Sequence, residues 1–229
     1  MREVHSFCGD CIFRSVLFES LDTSDLDLIS EKKKERFYRK GALIIREGEN
    51  ITDFLYMKQG LVKVYKRHQD SSDQIVSIAT PQNFFGLVSE FSNTLYPYSV
   101  EAIEDTTVCF LPLYIIKEMI GKNTRFALDL LSRVSKTTNN VININLEIGN
   151  KNLRGKIAYI MLYLSHDVYK SITFEMPVSR REIAELINMT TENVIRIISE
   201  FRRDKILDVN RKIITIIDMP KLQQICNWG

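Results

Sequence analysis

RREIAELINMTTENVIRIIS, residues 180–199, holds two short apolar patterns of helical period on either side of a polar break, with no glycine or proline in it. Ser179 stands three residues before Glu182, the spacing at which the two side chains satisfy each other's backbone N–H groups at a helix start. A helix beginning there buries Ile183, Ala184, Leu186 and Ile187. Asn188 then falls where the chain must turn sharply, and Asn is one of the few non-glycine residues that enters the left-handed region cheaply. Thr190 can cap a second helix, buried through Val194, Ile197 and Ile198. Two helices crossing steeply need a small residue at their contact, and Ala184 supplies it four residues before the turn. The spacing predicts a helix-turn-helix.

The second helix leaves Thr191, Glu192, Arg196, Ser199 and Arg203 on its open side, with Glu192 and Arg196 one turn apart and able to orient each other. A carboxylate accepts from the cytosine amino group and a guanidinium donates two bonds to the guanine edge, so the pair can read both halves of a G·C pair. Ile195, between them, has no hydrogen-bonding group and suits a thymine methyl. A hairpin follows at LDVNRKIITI, with Arg211 and Lys212 at its tip as a phosphate-touching wing would have them; Thr191 is also expected at a phosphate. Ser179, Arg180 and Thr190, at the two helix starts, complete the expected DNA-facing set. Residues 154–212 hold 11 Lys and Arg against 8 Asp and Glu, a modest local excess for a polyanion partner. The bland alternative is a helical hairpin with a solvated charged face.

At 229 residues, 45% hydrophobic and 26% charged, the chain can bury a full core as one large or two small domains. No apolar run approaches the length needed to cross a bilayer. MREVHSFCGDC at the start has no apolar stretch long enough for a secretory signal, so the cytoplasm is the expected location, with no membrane partner. The net charge of +2 is nearly neutral, so a nucleic-acid role must come from local clustering. The motifs G-x-S-x-G, GxxxxGK and H-E-x-x-H are absent, and the three histidines have no carboxylates grouped around them, so an enzyme is not expected.

Residues 21–31 read as a short helix, followed by a basic run. From Gly41 to about Leu113, short segments of β-branched and aromatic residues alternate with turn residues, which predicts a meander of seven or eight strands forming a small roll or barrel. From near Pro112 to about Asn150 the pattern is helical. Ala127, Leu130, Val134, Thr137, Val141, Ile144 and Ile148 form a heptad seam, with Leu131, Thr138 and Ile142 as an adjacent stripe. One face can lie on its own β-domain and the other on a second copy; the expectation is a parallel homodimer through helix 121–150, the alternative a single wide core-facing stripe in a monomer. Another helix over about 153–166, a short strand at ITFEM, the helix-turn-helix, the hairpin and a last helix at MPKLQQICNW complete the chain. The fold class is α+β. The expected divisions are a cysteine-containing extension at 1–20, a β-roll sensor at 21–120, a dimerisation helix at 121–150 and a winged-helix domain at 151–229.

With these pieces in place, the chain from about residue 8 onward resembles the CRP/FNR superfamily of bacterial transcription regulators. The matching stretches are KGALIIREGENITDFLYMKQGLVKVYK, similar to the family's opening β-roll signature, FFGLVSEFSN, similar to its ligand-facing segment, the long helix, and SRREIAELINMTTENVIRIISEF, similar to its recognition motif. The resemblance implies a cyclic-nucleotide-binding-type β-roll, a dimer helix and a winged helix-turn-helix. It also implies an inverted-repeat promoter site in double-stranded DNA, and RNA polymerase as protein partner. A regulatory module without a DNA role is the alternative, and it would not need the recognition helix or wing.

In nucleotide-binding members of this family, an acidic residue follows the glycine of the ligand segment and an Arg-Ser pair comes soon after. Here Gly86 is followed by Leu87, and Ser99 is preceded by Tyr98. A buried phosphate would lack its charge partner, so cyclic AMP is not the expected effector. The positions Phe85, Gly86, Leu87, Tyr98 and Ser99 either line a pocket for another ligand or are plain core together with Phe84. Cys8 and Cys11 resemble the N-terminal cysteine cluster of the oxygen-sensing branch, and Cys109 sits where that branch has its remote fourth ligand. The third N-terminal cysteine is replaced by Leu17. His5 could complete a set with Cys8, Cys11 and Cys109 for an iron–sulfur cluster or zinc; the alternative is that these are free, buried or redox-sensitive thiols. His68, in a polar turn-like segment, and His166 give no persuasive haem ligand.

Overall fold

The computed structural model describes residues 18–67, 73–87 and 94–229. Two compact units divide the chain, residues 1–140 and 141–229.

The first unit opens with helix α1, Thr23–Lys32, started by the Asp22 carboxylate, which accepts from the Asp25 N–H. Eight strands follow among the described residues: β1 Lys34–Tyr38, β2 Leu43–Ile45, β3 Asp53–Gln59, β4 Val62–Arg67, β5 Asp73–Ala79, β6 Phe84–Phe85, β7 Ser99–Ala102 and β8 Thr106–Pro112. They form two four-stranded antiparallel sheets, ordered β1-β8-β3-β6 and β2-β7-β4-β5. The expected meander is corrected here. β1 pairs with β8, β2 with β7, β3 with β6 and β4 with β5, the nested pattern of one long antiparallel ribbon folded over on itself, as in a jelly roll. The basic run is corrected too, because KERFY is strand β1. Its Glu35 is buried, and the Lys58 ammonium donates to both carboxylate oxygens at 2.9 and 3.1 Å; Lys63 similarly meets its cross-strand partner Glu101 at 3.0 Å. Charge tolerated at depth by pairing is what hid β1 from an apolar-pattern reading.

One apolar cluster draws on both sheets, through Ile45, Phe54, Met57, Val62, Val100 and Val108 among others, and on the helices that close it. These are α1, α2 (Leu113–Lys122) and the start of α3 (Thr124–Asn150), the last contributing Phe126 and Leu130. The expected single helical stretch is thus two helices. Asn123 breaks it, its side-chain oxygen accepting from the Phe126 N–H at 3.0 Å and its amide donating to the Ser20 carbonyl at 2.8 Å. On α3 the expected seam is the covered side of the helix: Leu130 is buried in its own core, Val134 packs against it and Ala127 and Thr137 are half-buried, whereas Leu131 of the adjacent stripe and Leu128 are exposed.

In the second unit, Ile142 and Leu146 on the end of α3 are exposed and Ile148 is buried. Helix α4, Leu153–Tyr163, is capped by Asn152, which accepts from the N–H groups of Arg154 and Gly155, and it runs into a π-helical turn at Leu164–Val168. Then come β9 Thr173–Glu175, α5 Arg180–Ile187, α6 Thr191–Arg203, β10 Leu207–Asn210, β11 Ile213–Ile216 and α7 Met219–Trp228, with the sheet ordered β10-β11-β9. Ile157, Ile160, Ile183, Ile187, Val194, Ile197, Phe201 and Ile214 are among its buried side chains. Burial at 194, 197, 198 and 201 on α6 turns that helix's opposite face outward.

Candidate nucleic-acid interface

The local chemistry of the helix pair is as the sequence dictates. The Ser179 hydroxyl accepts from the Glu182 N–H at 3.2 Å and the Glu182 carboxylate accepts from the Ser179 N–H at 2.8 Å, a complete capping box at the start of α5. Asn188 ends that helix in the left-handed region, at φ 51° and ψ 61°, and the Met189 N–H donates back to the Ala184 carbonyl at 2.9 Å. Ala184 is buried. Lys156 of α4 donates to the Ile187 carbonyl at 3.2 Å, placing a cation on the negative end of α5. Two residues past the turn, the Thr190 hydroxyl accepts from the Asn193 N–H at 3.3 Å and starts α6.

The outward side of α6 carries the expected residues. Glu192, Ile195, Arg196, Ser199 and Arg203 are exposed and Thr191 is half-buried. The Ser199 hydroxyl turns inward and donates to the Ile195 carbonyl at 2.8 Å. The Glu192 carboxyl is held below the usual carboxylate range by its own backbone N–H and then by the Thr190 hydroxyl, so it is an ionised acceptor at neutral pH. Arg180, in the first turn of α5, is half-buried; one of its terminal nitrogens is buried with no hydrogen-bond partner among the described residues, and burial lowers the pKa of the group. Arg211 and Lys212 are exposed at the hairpin tip between paired residues Asn210 and Ile213, Arg211 at φ 56°. The Met176 N–H donates to the Lys212 carbonyl at 2.8 Å and ties that tip to the strand beside it.

One expected contact is replaced by another. Arg196 does not pair with Glu192: its NH1 donates to Glu200 Oε1 at 2.6 Å and its NH2 to Asn193 Oδ1 at 3.2 Å. Glu200 also takes Arg154 NH1 on its other oxygen at 2.8 Å, and Arg154 NH2 lies 3.4 Å from Asp204. Arg154 and Glu200 were not singled out from sequence. The only signal for Glu200 was its place four residues after Arg196, and none pointed to Arg154, 46 residues away.

In the β-unit, Phe85, Leu87 and Ser99 are buried and Tyr98 half-buried. The Tyr98 ring meets Phe85 edge-on, centroids 6.4 Å apart, and Tyr96 at 6.2 Å. The Ser99 hydroxyl accepts from the Glu47 N–H at 3.0 Å. Gly86 sits at φ +95°, and a Cβ there would come within 2.5 Å of the Asp53 carbonyl oxygen, so this bend admits only glycine. Cys109 is half-buried on β8, opposite Glu35 and Tyr56. His5, Cys8, Cys11, Leu17 and His68 lie outside the described residues; His166 is exposed in the π-helical turn. No helix among the described residues is long and apolar enough to cross a membrane.

Comparison with known proteins agrees with this architecture at both ends of the chain. A family described as the cyclic nucleotide-binding domain matches residues 35–123, and one described as the Crp-like helix-turn-helix domain matches residues 155–225. The transcriptional activator protein FnrA of Stutzerimonas stutzeri is 24% identical over 223 residues, spanning 95% of this chain and 90% of its own length. The anaerobic regulatory protein of Pasteurella multocida is 23% identical over 226 residues, spanning 95% and 82%. Among solved structures, FixK2 from Bradyrhizobium japonicum superposes with a TM-score of 0.76 at 24% identity, over 84% of this chain and 96% of that one. The chain belongs to the CRP/FNR superfamily of DNA-binding transcription regulators.

Proposed function

We propose that the protein binds an inverted-repeat promoter site as a homodimer in the cytoplasm, with α6 of each copy entering successive major grooves. RNA polymerase is the protein partner that this role implies. The observation that carries the reading is the outward face of α6, where an ionised Glu192, the apolar Ile195 and the guanidinium of Arg196 stand beside one another on a helix whose other side is fixed in a core. Glu192 and Arg196 specify one G·C pair, and Ile195 touches a thymine methyl. Thr191, Arg211 and Lys212, with Ser179, Arg180, Thr190, Ser199 and Arg203 around the rim, position the helix on the backbone. Half-sites about one helical turn apart follow from two-fold symmetry.

Binding measured by anisotropy on matched and mismatched half-sites, across a salt series, tests this. Arg196→Ala should cost ~1 to 3 kcal/mol on the matched site and flatten the preference at its pair, whereas Lys212→Ala should weaken all sequences alike and reduce the salt slope by about one. Equal loss on matched and mismatched DNA for Arg196→Ala would refute the base-reading role. No binding at all would favour the regulatory module without a DNA role.

The sensor reading rests on the β-unit. With Tyr98 before Ser99 and the Ser99 hydroxyl taken by the Glu47 N–H, the residues Phe85, Gly86, Leu87, Tyr98 and Ser99 support a roll that does not use cyclic AMP. A second route for signal is the thiol set Cys8, Cys11 and Cys109 with His5. Three thiolates and an imidazole suit zinc and are one thiolate short of the four usual for an iron–sulfur cluster, and Cys109 presents its sulfur from a half-buried place on β8. If such a group binds, those four residues hold it.

A further inference from the structure

We infer that Glu200 is the positioning residue that sets the specificity of Arg196, and that Arg154 of α4 is its anchor; this rests on the base-reading role proposed above. Six side chains form one continuous network from the core of the second unit to its surface. Phe201 is fully buried, and the Arg154 guanidinium lies over its ring at 5.0 Å. That stacking fixes the plane from which Arg154 reaches Glu200 at 2.8 Å and Asp204 at 3.4 Å. Glu200 then holds Arg196 at 2.6 Å, with Asn193 meeting the other terminal nitrogen at 3.2 Å. Glu200 is the least exposed of the ion-paired groups in this network and Arg196 the most exposed, so order is passed outward from a fixed anchor.

The division of Glu200's two oxygens decides what Arg196 can still do. A carboxylate facing one arginine alone takes it bidentately, and that grip would compete with a guanine edge for the same fork. Arg154 engages the second oxygen, and Glu200 meets Arg196 through the first by a single bond. Of the five N–H donors on a guanidinium, one on NH1 and one on NH2 are then spent, leaving a hydrogen on each terminal nitrogen and the Nε–H for DNA. A long side chain otherwise free to sample many rotamers is thereby presented along the helix in one arrangement, and less freedom is lost when it docks. Glu192 has no such contact with Arg196 and cannot supply this.

The test compares the full-length protein with Glu200→Gln, Arg154→Met, Arg196→Ala and the Glu200→Gln/Arg196→Ala double variant. The readout is the ratio of affinities for half-sites matched and mismatched at the Arg196 pair, with thermal unfolding to establish that each variant is folded. Glu200→Gln should lower the ratio about tenfold, within the coupling range of residues in one network, and have no effect on it once Arg196 is Ala. Arg154→Met, which keeps an apolar stem over Phe201, should lower the ratio as well. A ratio unchanged by Glu200→Gln, with matched and mismatched affinities rising together, would mean that Glu200 acts only as bulk negative charge near a polyanion and would overturn the inference. If Arg196→Ala itself left the ratio unchanged, the base-reading role would fail first and take the positioning role with it.

Discussion

Replacing Leu131 and Ile142 together by Asp should separate the two copies of the proposed homodimer while leaving each copy folded. Leu128, Leu131, Ile142 and Leu146 on α3 are between 50% and 61% exposed, while Leu130 is 3% exposed inside its own core. Covering a Leu or Ile completely contributes ~1.5 to 3 kcal/mol, and roughly half remains to be gained at each of these, about 1 kcal/mol apiece. Eight such side chains in a symmetric pair give ~8 kcal/mol, enough to offset much of the ~4 to 15 kcal/mol that rigid-body association costs. The double variant removes half of that term and places four carboxylates in the exposed stripe of the pair. Even at ~1.5 kcal/mol per carboxylate, below the several kcal/mol of a fully dry unpaired charge, the charges cost ~6 kcal/mol, which with the ~4 kcal/mol of lost burial makes ~10 kcal/mol, or about 10⁷-fold in the dimer constant. Sedimentation velocity at micromolar concentration should therefore show a monomer, operator affinity should fall with it, and the monomer should still unfold cooperatively, at a Tm lowered by the lost association and independent of protein concentration. Leu130→Asp should instead unfold the first unit. A Leu131→Asp/Ile142→Asp protein that sediments as a dimer would refute the assignment of this stripe to the proposed partner copy.

Beyond the base-reading test, calorimetry should show no saturable binding of cyclic AMP at micromolar concentration, since that affinity needs about 8 kcal/mol and each absent charge-assisted contact removes ~1.5 to 3 kcal/mol of it; a clear micromolar isotherm would mean that the ligand segment is misassigned. Should the thiols hold a cluster, anaerobic protein is brown, carries iron and sulfide, and loses its colour in each of Cys8→Ser, Cys11→Ser and Cys109→Ser; colourless, metal-free protein with normal DNA binding would leave the cysteines structural. Asn188→Ala, forced into the left-handed region at φ 51°, should cost ~1 kcal/mol and lower Tm by a few degrees, while Asn188→Gly should restore it; equal Tm values for the two would show that the turn is not strained.

What could be read from sequence is what depends on neighbours three or four residues away. Ser179 with Glu182, Asn188 at the turn and Thr190 at the second start are local hydrogen-bonding problems with local solutions, and each stands as its spacing predicts. Strand pairing is a different kind of problem. Nothing within KERFY says that Glu35 will lie buried against Lys58, or that Lys34 will pair with Phe110, so the first strand read as a solvated basic run and the nested ribbon as a meander. On α3 the two stripes are one residue apart, about 100° around the helix, and both are apolar. Only the presence of a β-unit against Phe126 and Leu130 decides which of them is left facing outward.

The reassignment of Arg196 follows the same physics. Glu192 and Glu200 stand four residues before and four after it, and an isolated helix favours the acid on the N-terminal side. By that preference alone Arg196 would pair with Glu192. In the folded unit Glu192 lies in the first turn of α6, where its own backbone N–H and the Thr190 hydroxyl engage the carboxylate. Glu200 has the stronger claim because Arg154, 46 residues away in sequence, already holds one of its oxygens and so fixes the other beneath Arg196. A local rule worth a few tenths of a kcal/mol is overridden by one charge-assisted bond from another helix, at ~1.5 to 3 kcal/mol. The two acids are thereby separated in role: Glu192 is left as an exposed acceptor able to meet a cytosine amino group, and Glu200 is spent on holding the arginine that would meet the guanine.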